Sequence, residues 1–566
     1  MEILNVENLI FKYPKCNDPV IRNVSFSVNE GEFIVLCGAT GSGKSTLLKM
    51  LKPEIVPLGE RKGIVRLFGE EIEYDIDKKI NRTINIGYVG QNPKHQAVTD
   101  KVWHELAFGL ENLNLPMDEM AARVAEMASY FGIEDWYEKQ VNELSGGQLQ
   151  LLNLASVMVM NPKILILDEP SAQLDPISAS EFFTTLKKLN SDFSLTIIIA
   201  EHRLEELIPE CDRLMVLKNG ELSLDGSPKE VLKSISEDDE IFEALPAAYR
   251  VFNGLNDKLD LAENDLSVPL SIRDGRNLLF KTINKQYSQV KENRKNKDNQ
   301  DKKVNPDKEN SDKLPALEFK DVSLRYSKDD NDALRDLSFI VNTGEIFCML
   351  GGNGSGKTTA LNAAAGLLKP YEGTIKVFGK KLKEYKNQSL YNKCLSMLPQ
   401  DVQTLFLHNT VREELEKRKA LDKLQDFPFD LSALMDKHPY DLSGGEQQLL
   451  ALAIVLATET KIMLLDEPTK GLDAFRKKNL IKILKHLKSL GITIVIVTHD
   501  VEFAAECADR CAMLFRGSLT AKGDTVEFLS KNNFYTTAVS RMSKGIIERM
   551  VTVGEIKQYL NNNSNK

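Results

Sequence analysis

Gly38-Ala39-Thr40-Gly41-Ser42-Gly43-Lys44-Ser45 follows the apolar run Phe33–Cys37 and precedes a helix-like segment from Thr46 to Leu51. A strand that runs into a loop with three glycines lets the backbone curl until several N–H groups face one anion, and the following helix adds its positive N-terminal dipole. Lys44 brings a cation to the outer phosphates of a nucleotide, and the Ser45 hydroxyl is placed to ligate Mg²⁺. A glycine-rich turn before a helix would account for the glycines. It does not account for their spacing, for the Lys-Ser pair, or for recurrence. Gly351-Gly352-Asn353-Gly354-Ser355-Gly356-Lys357-Thr358 repeats the pattern after the apolar run Ile346–Leu350.

At 566 residues the chain predicts several domains, each large enough for its own core, and the duplicated loop says two. A formal net charge of −9 gives no global attraction to nucleic acid or to an anionic bilayer. Seven cysteines are scattered, with Cys37 and Cys348 inside strand-like runs, as expected of core residues in a reducing compartment. Cys507 and Cys511 resemble a metal pair, but nothing nearby completes a ligand set, so a core or surface role is expected. No charged-then-apolar leader follows Met1, and the longest apolar run, Leu449–Ala457, is far short of the roughly 18 residues a membrane helix needs. The expectation is a chain that is soluble by itself.

Glu2–Val6 and Val24–Val28 read as an antiparallel strand pair with Tyr13 in the turn between them. Short strands follow at Gly63–Phe68 and Asn85–Val89, the second leading into Gln91. Helical spacing dominates from Val102 to about Tyr137. Leu144-Ser145-Gly146-Gly147-Gln148 then opens an apolar helix. Ser-Gly-Gly at a helix start offers a second anion cradle, with an ordinary serine N-cap as the alternative. One nucleotide needs only one such loop, so the second cradle is read as serving a nucleotide held by the other half. Ile164–Leu167 predicts a buried strand that delivers Asp168 and Glu169 at its C-terminal end, with Pro170 as the stop. Asp168 would reach a Mg²⁺ ion, and Glu169 would orient and deprotonate a water. Thr196–Ala200 forms a further strand, and His202 after it sits where a γ-phosphate sensor belongs.

Every landmark recurs in order as Tyr326, Lys357, Gln400, Ser443-Gly444-Gly445-Glu446, Asp466-Glu467-Pro468 and His499. The lysines lie 313 residues apart, the signature serines and the aspartates 298, and the histidines 297. The first half therefore carries 15 extra residues between its loop and its signature. This is a tandem duplication.

With these landmarks in one order, both halves resemble ATP-binding cassette ATPases. The resemblance implies an α/β fold of two P-loop cassette domains in tandem. Each would have a mostly parallel core sheet with helices, an antiparallel β subdomain and a helical signature subdomain. It implies ATPase activity with ATP and Mg²⁺ as cofactors. Tyr13 and Tyr326 would stack on adenine. The loops Gly38, Gly41, Ser42, Gly43, Lys44, Ser45 and Thr46, and Gly351, Asn353, Gly354, Ser355, Gly356, Lys357, Thr358 and Thr359, would hold the phosphates. Metal ligation would fall to Ser45 and Thr358 with Gln91 and Gln400, supported by Asp168 and Asp466. Glu169 and Glu467 would polarise the attacking water, and His202 and His499 would contact the γ-phosphate. In such a family two domains pair head to tail, so that Ser145, Gly146 and Gly147 face the nucleotide on Lys357, and Ser443, Gly444 and Gly445 the one on Lys44. Glu446 in place of a glutamine, and Ser171-Ala172-Gln173 against Thr469-Lys470-Gly471, bear on whether both sites turn over equally. Both catalytic carboxylates are present, so two competent sites are expected.

A narrower likeness lies in Ala200–Glu206, Leu106–Asn112 and Val268–Asp274, which look like the fused ATPase component of energy-coupling factor importers for vitamins or transition-metal ions. That resemblance implies a membrane scaffold subunit and a substrate-binding membrane subunit as partners, with this chain cytoplasmic and peripheral on the inner face of the cell membrane. The alternatives are the ATPase of another transporter type, or a soluble tandem ATPase acting on ribosomes. The ribosomal family typically carries Asn-His-Leu-Asp where this chain has Ala172-Gln173-Leu174-Asp175 and Lys470-Gly471-Leu472-Asp473.

The domains are expected at 1–235 and 315–532, with a linker at 236–314 and a C-terminal extension at 533–566. Leu245, Val251, Leu255 and the stretch Val268–Phe280 keep apolar spacing, which predicts packing against the first domain. Residues 288–313 are almost entirely Lys, Asn, Asp, Gln and Glu and predict a solvated tether, with no nucleic-acid role because acids interleave the bases and aromatics are lacking. In the extension, Ile546, Met550, Ile556 and Leu560 predict a docking helix whose partner the sequence does not name.

Overall fold

A computed structural model describes residues 1–14, 16–72, 85–255, 268–293, 314–386, 389–392, 394–427, 429–458 and 460–564. The chain divides into two compact units, Met1–Pro246 and Ala247–Lys566.

In the first unit, Phe33–Cys37, Ile164–Asp168 and Thr196–Ala200 are aliphatic throughout and buried along their whole length. Runs of that kind have no polar face to turn to water, so they belong at the centre of a parallel sheet covered on both sides. The six-stranded sheet runs Glu221–Gly226, Arg213–Lys218, Phe33–Cys37, Thr196–Ala200, Ile164–Asp168, Ile86–Val89, and its contacts are parallel except at the first pair. A four-stranded antiparallel sheet pairs Glu2–Lys12 with Ile21–Asn29 on one side and Glu60–Leu67 on the other, with Leu4 opposite both Val28 and Leu67. The helices Val102–Asn112 and Met117–Tyr130 occupy the region of helical spacing and lie beside the signature helix Gly146–Met158.

The second unit repeats the plan. Its six-stranded sheet runs Leu395–Leu398, Ile462–Asp466, Thr493–Thr498, Ile346–Leu350, Arg510–Phe515, Ser518–Asp524, and its antiparallel sheet is built on Pro315–Leu324. Cys348 and Cys511 are buried register partners on adjacent strands, and Cys507 is buried in the same core. In both units the strands that carry the carboxylates and the phosphate loop end at the same sheet edge, which is where ligands gather in doubly wound sheets.

The structure departs from the sequence reading at the linker. Leu245 is buried in the first unit, but Val251, Leu255, Leu278, Leu279 and Ile283 share one core with Ala538, Val539, Met542, Ile556 and Leu560 of the C-terminal extension. The linker segment from Ala247 onward thus packs on the chain's last helices, within the second unit. Residues 288–293 complete the helix Ile272–Asn293, and the remainder of the expected tether, 294–313, lies outside the described residues.

The register of these helices shows that the duplication runs through the linker. Ala247, Ala248, Val251, Gly254 and Leu255 stand 291 residues before Ala538, Val539, Met542, Gly545 and Ile546. Gly254 and Gly545 both take φ 75°, the left-handed turn that ends each short helix. Farther on, Ser271 and Asp274 form a reciprocal cap at 3.2 and 3.1 Å, and Thr552 and Glu555 repeat it at 2.9 and 3.3 Å. Helices of six residues such as Ala247–Phe252 and Ala538–Ser543 are too short to persist alone and bury their apolar faces on one another. The helix Ile272–Asn293 approaches so closely that a β-carbon on Gly275 would stand 2.7 Å from Cβ of Ala248 and 2.4 Å from Sδ of Met542. Gly275→Val should overpack this cluster and cost about 1–3 kcal/mol, seen calorimetrically as a lowered unfolding temperature of the second unit.

Candidate active site

Each phosphate loop joins a buried strand to a helix through glycines in backbone conformations that a side chain resists. Gly41 and Gly43 have φ 86° and 105°, Gly354 and Gly356 have 73° and 99°. A β-carbon on Gly38 would stand 2.3 Å from the Leu217 carbonyl oxygen, and one on Gly351 2.6 Å from that of Leu514. The loop therefore has room for backbone alone.

Lys44 is 4 % exposed and donates to the carbonyls of Gly38 and Ala39 at 2.9 and 3.2 Å, and Lys357 donates to those of Gly351 and Gly352 at 2.8 and 3.0 Å. Each ammonium also lies within 3.9 and 3.8 Å of Glu169 and Glu467. The Ser45 hydroxyl donates to Asp168 at 2.8 Å, and Thr358 donates to Asp466 at 3.1 Å.

Glu169 accepts from Gln91 at 2.8 Å and meets His202 Nε2 at 2.9 Å. Glu467 meets His499 Nδ1 at 3.1 Å and accepts from Thr498 at 3.0 Å, while Gln400 is exposed. Both glutamates take φ 47°. A bulky residue held in the left-handed region is strained, and the same strain in both copies marks a constrained site.

In the second unit the paired carboxylates are tuned in opposite directions. Burial pushes Asp466 up to about 6, against the hydrogen bond from Thr358, and burial likewise raises Asp168. Burial also acts to raise Glu467, but His499, Lys357 and Thr498 together hold it below the usual range. Glu467 is therefore ionised at neutral pH.

The residues fit a nucleotide and a hard divalent cation. Ser42 Oγ and Ser355 Oγ are buried in the loops with no protein hydrogen-bond partner. A serine hydroxyl beside a carboxylate offers oxygen ligands, and the described residues hold no cluster of three or more His, Cys, Asp or Glu suited to a metal. Mg²⁺ commonly completes such a partial set with substrate phosphates, whose charge it neutralises when bound. Tyr13 borders a cleft of about 360 Å³ lined by Lys12, Pro14, Asn17 and Glu60, and its hydroxyl bonds Thr46 at 3.1 Å. Tyr326 makes the same bond to Thr359 at 2.8 Å.

Both signature serines cap their helices reciprocally: Ser145 Oγ accepts from Gln148 N at 3.3 Å and Ser443 Oγ from Glu446 N at 3.4 Å, and Ser443 Oγ in addition donates to the Glu446 carboxylate at 2.7 Å. Arg476 lies over Gly445, where a β-carbon would clash with its guanidinium. Burial acts to raise Glu446, but the Ser443 contacts and nearby Arg476 hold it below the ordinary range.

Three neighbours were missing from the sequence reading. Tyr88 donates to Asp168 at 3.1 Å. Thr498 holds Glu467. Glu201, 2 % exposed, accepts from the backbone of Ser171 at 2.9 Å and of His202 at 2.8 Å. Glu201 lies within the Ala200–Glu206 likeness, which was its only sequence signal.

The family model for ABC transporters matches residues 21–172 and 334–470. A "Putative ABC transporter ATP-binding protein" of Bacillus thuringiensis subsp. konkukian is 38 % identical, over 95 % of this chain and 94 % of its own. The chain belongs to the ABC transporter ATPases. As a member it hydrolyses ATP, and its two cassette domains are the nucleotide-binding units, generally with Mg²⁺. The "Putative HMP/thiamine import ATP-binding protein YkoD" of Bacillus subtilis is 32 % identical, over 94 % of this chain and 93 % of its own. The solved cbiO1 of Clostridium perfringens, described as part of the ABC transporter complex cbiONQ, is 31 % identical over 46 % of this chain and 97 % of its own, with a TM-score of 0.39. No helix among the described residues of this ABC ATPase is long and apolar enough to cross a membrane.

Proposed function

We propose that this chain is the ATP-hydrolysing motor of an importer for a micronutrient, a vitamin or a transition-metal ion. It works through a separate membrane scaffold subunit and a substrate-binding membrane subunit, on the inner face of the cell membrane. The observation that carries the import reading is the full-length likeness to a relative named for HMP/thiamine import. The Ala200–Glu206 motif adds to it.

In this reading the site residues keep the roles their positions favour. Lys44 and Lys357 hold the outer phosphates, Ser45 with Asp168 and Thr358 with Asp466 support the Mg²⁺ ion, and Glu169 and Glu467 orient the attacking water. His202 and His499 fix those glutamates and contact the γ-phosphate, while Tyr13 and Tyr326 stack on the base. Each signature, at Ser145 and Ser443, completes the site of the other half, as the resemblance to the family implies. Phosphoryl transfer is chiefly positioning and charge stabilisation, so parts that assemble on ATP binding make binding a mechanical stroke, and hydrolysis releases it.

Solubilising membranes under conditions that keep complexes intact, and purifying through a tag on this chain, should recover at least one integral membrane protein in stoichiometric amount. Recovery of the chain with ribosomes in place of membrane proteins would overturn the reading.

A further inference from the structure

The second phosphate loop differs from the first at three positions, with Asn353 for Thr40, Thr358 for Ser45 and, where the backbone is affected, a glycine for an alanine. Where the first has Ala39, the second has Gly352 at the matching register, 313 residues on. The Gly352 carbonyl accepts from Lys357 at 3.0 Å, so the orientation of this peptide sets where the ammonium points. Glycine is the residue that least resists reorientation.

A side chain from outside the cassette stands at that place. The Tyr535 hydroxyl lies 3.5 Å from where a β-carbon on Gly352 would be. By the 291-residue register of the helical extensions, the counterpart of Tyr535 is Ala244. The pair Ala39 and Ala244 in the first half thus becomes Gly352 and Tyr535 in the second, a methyl lost from the loop and an aromatic ring gained opposite it.

The segment that presents Tyr535 is held firmly. Arg541 donates to the carbonyls of Phe534 and Thr536 at 3.2 and 3.4 Å, and Thr536 Oγ1 donates to the Leu529 carbonyl at 2.5 Å. The Ala538 N–H donates to Glu502 at 2.6 Å, on the helix Val501–Cys507 that follows His499 and its neighbour Asp500. Ala538 and Met542, just beyond, pack in the core shared with the linker helices.

We propose that Tyr535 is a positioning residue for the second phosphate loop: it restrains the Gly352 peptide that orients Lys357, and so ties ATP affinity at this site alone to the linker and C-terminal helices. The proposal rests on the reading of Lys44 and Lys357 as the two nucleotide sites.

Calorimetric titration of the full chain with Mg-ATP, in a Glu169→Gln and Glu467→Gln background that suppresses turnover, tests it. Adding Lys44→Ala leaves the second loop to report, and adding Lys357→Ala leaves the first. Tyr535→Ala should weaken ATP binding about three- to fivefold when only the second loop reports, the scale of a glycine's released freedom. It should leave the affinity unchanged when only the first reports. Gly352→Ala added to Tyr535→Ala should restore the second-site affinity to within about twofold, because the new β-carbon restricts the same peptide. A structural role in folding would not be rescued this way. Equal losses at both loops, no loss at the second, or failure of Gly352→Ala to rescue would overturn the proposal. Two full-affinity ATP equivalents in the Lys44→Ala chain would instead reject the underlying assignment of the lysines.

Discussion

Replacing Glu169 and Glu467 together by glutamine should lower ATP turnover by roughly 10²- to 10⁴-fold, the range for a positioned acid–base group, while ATP binding persists. Glutamine keeps the shape and can still bond to Gln91 or Thr498, but it carries no charge to polarise a water. Each glutamate lies between a histidine, at 2.9 Å in the first unit and 3.1 Å in the second, and a phosphate-loop lysine at 3.9 and 3.8 Å. Because Glu467 is held ionised despite its burial, it loses a real charge on substitution and not a protonated group. A steady-state phosphate-release assay paired with an equilibrium binding measurement separates the two quantities. Turnover near the parent rate would remove both glutamates from the chemistry.

Lys44→Ala and Lys357→Ala should each cost one ATP site most of its affinity. Hydrogen bonds to a charged group contribute about 1.5–3 kcal/mol each, so two phosphate contacts amount to about 10²- to 10⁴-fold in affinity. The ammonium groups are almost fully buried and already aimed by two loop carbonyls, so little ordering remains to offset that gain. The stoichiometry of tight ATP binding should fall from two to one per chain in each single variant and to none in the double. An unchanged stoichiometry would show that the nucleotide is held elsewhere.

Much of this site was legible in the sequence because its chemistry is local. The phosphate loop is one contiguous octapeptide, and its glycines are fixed by backbone geometry within it. The carboxylates follow buried strands whose aliphatic runs declare themselves. Asp168 and Asp466 duly end those strands, and Ser45 and Thr358 reach them. The neighbours that were missed come from other strands. Tyr88 bonds Asp168 across 80 residues of chain, and in the second half Met397 occupies its register and makes no such bond possible. Glu201 and Thr498 occupy one register with different chemistry, the first gripping the backbone of Ser171 and His202, the second gripping Glu467 directly. No spacing rule predicts which solution a given copy adopts, because each depends on what its neighbours leave unsatisfied.

By itself the sequence determined two ATP-binding cassettes, the order of their parts and the candidates for phosphate, metal and water-orienting roles. Those follow from backbone sterics, strand burial and the charge a phosphate chain demands. Only the tertiary structure decided what the linker is. Its helices Ala247–Phe252 and Ile272–Asn293 have nothing in their own sequence to name a partner, and their apolar faces are buried with helices nearly 300 residues away. That pairing sets the tail beside the second phosphate loop, where Tyr535 faces a glycine that the first loop does not have.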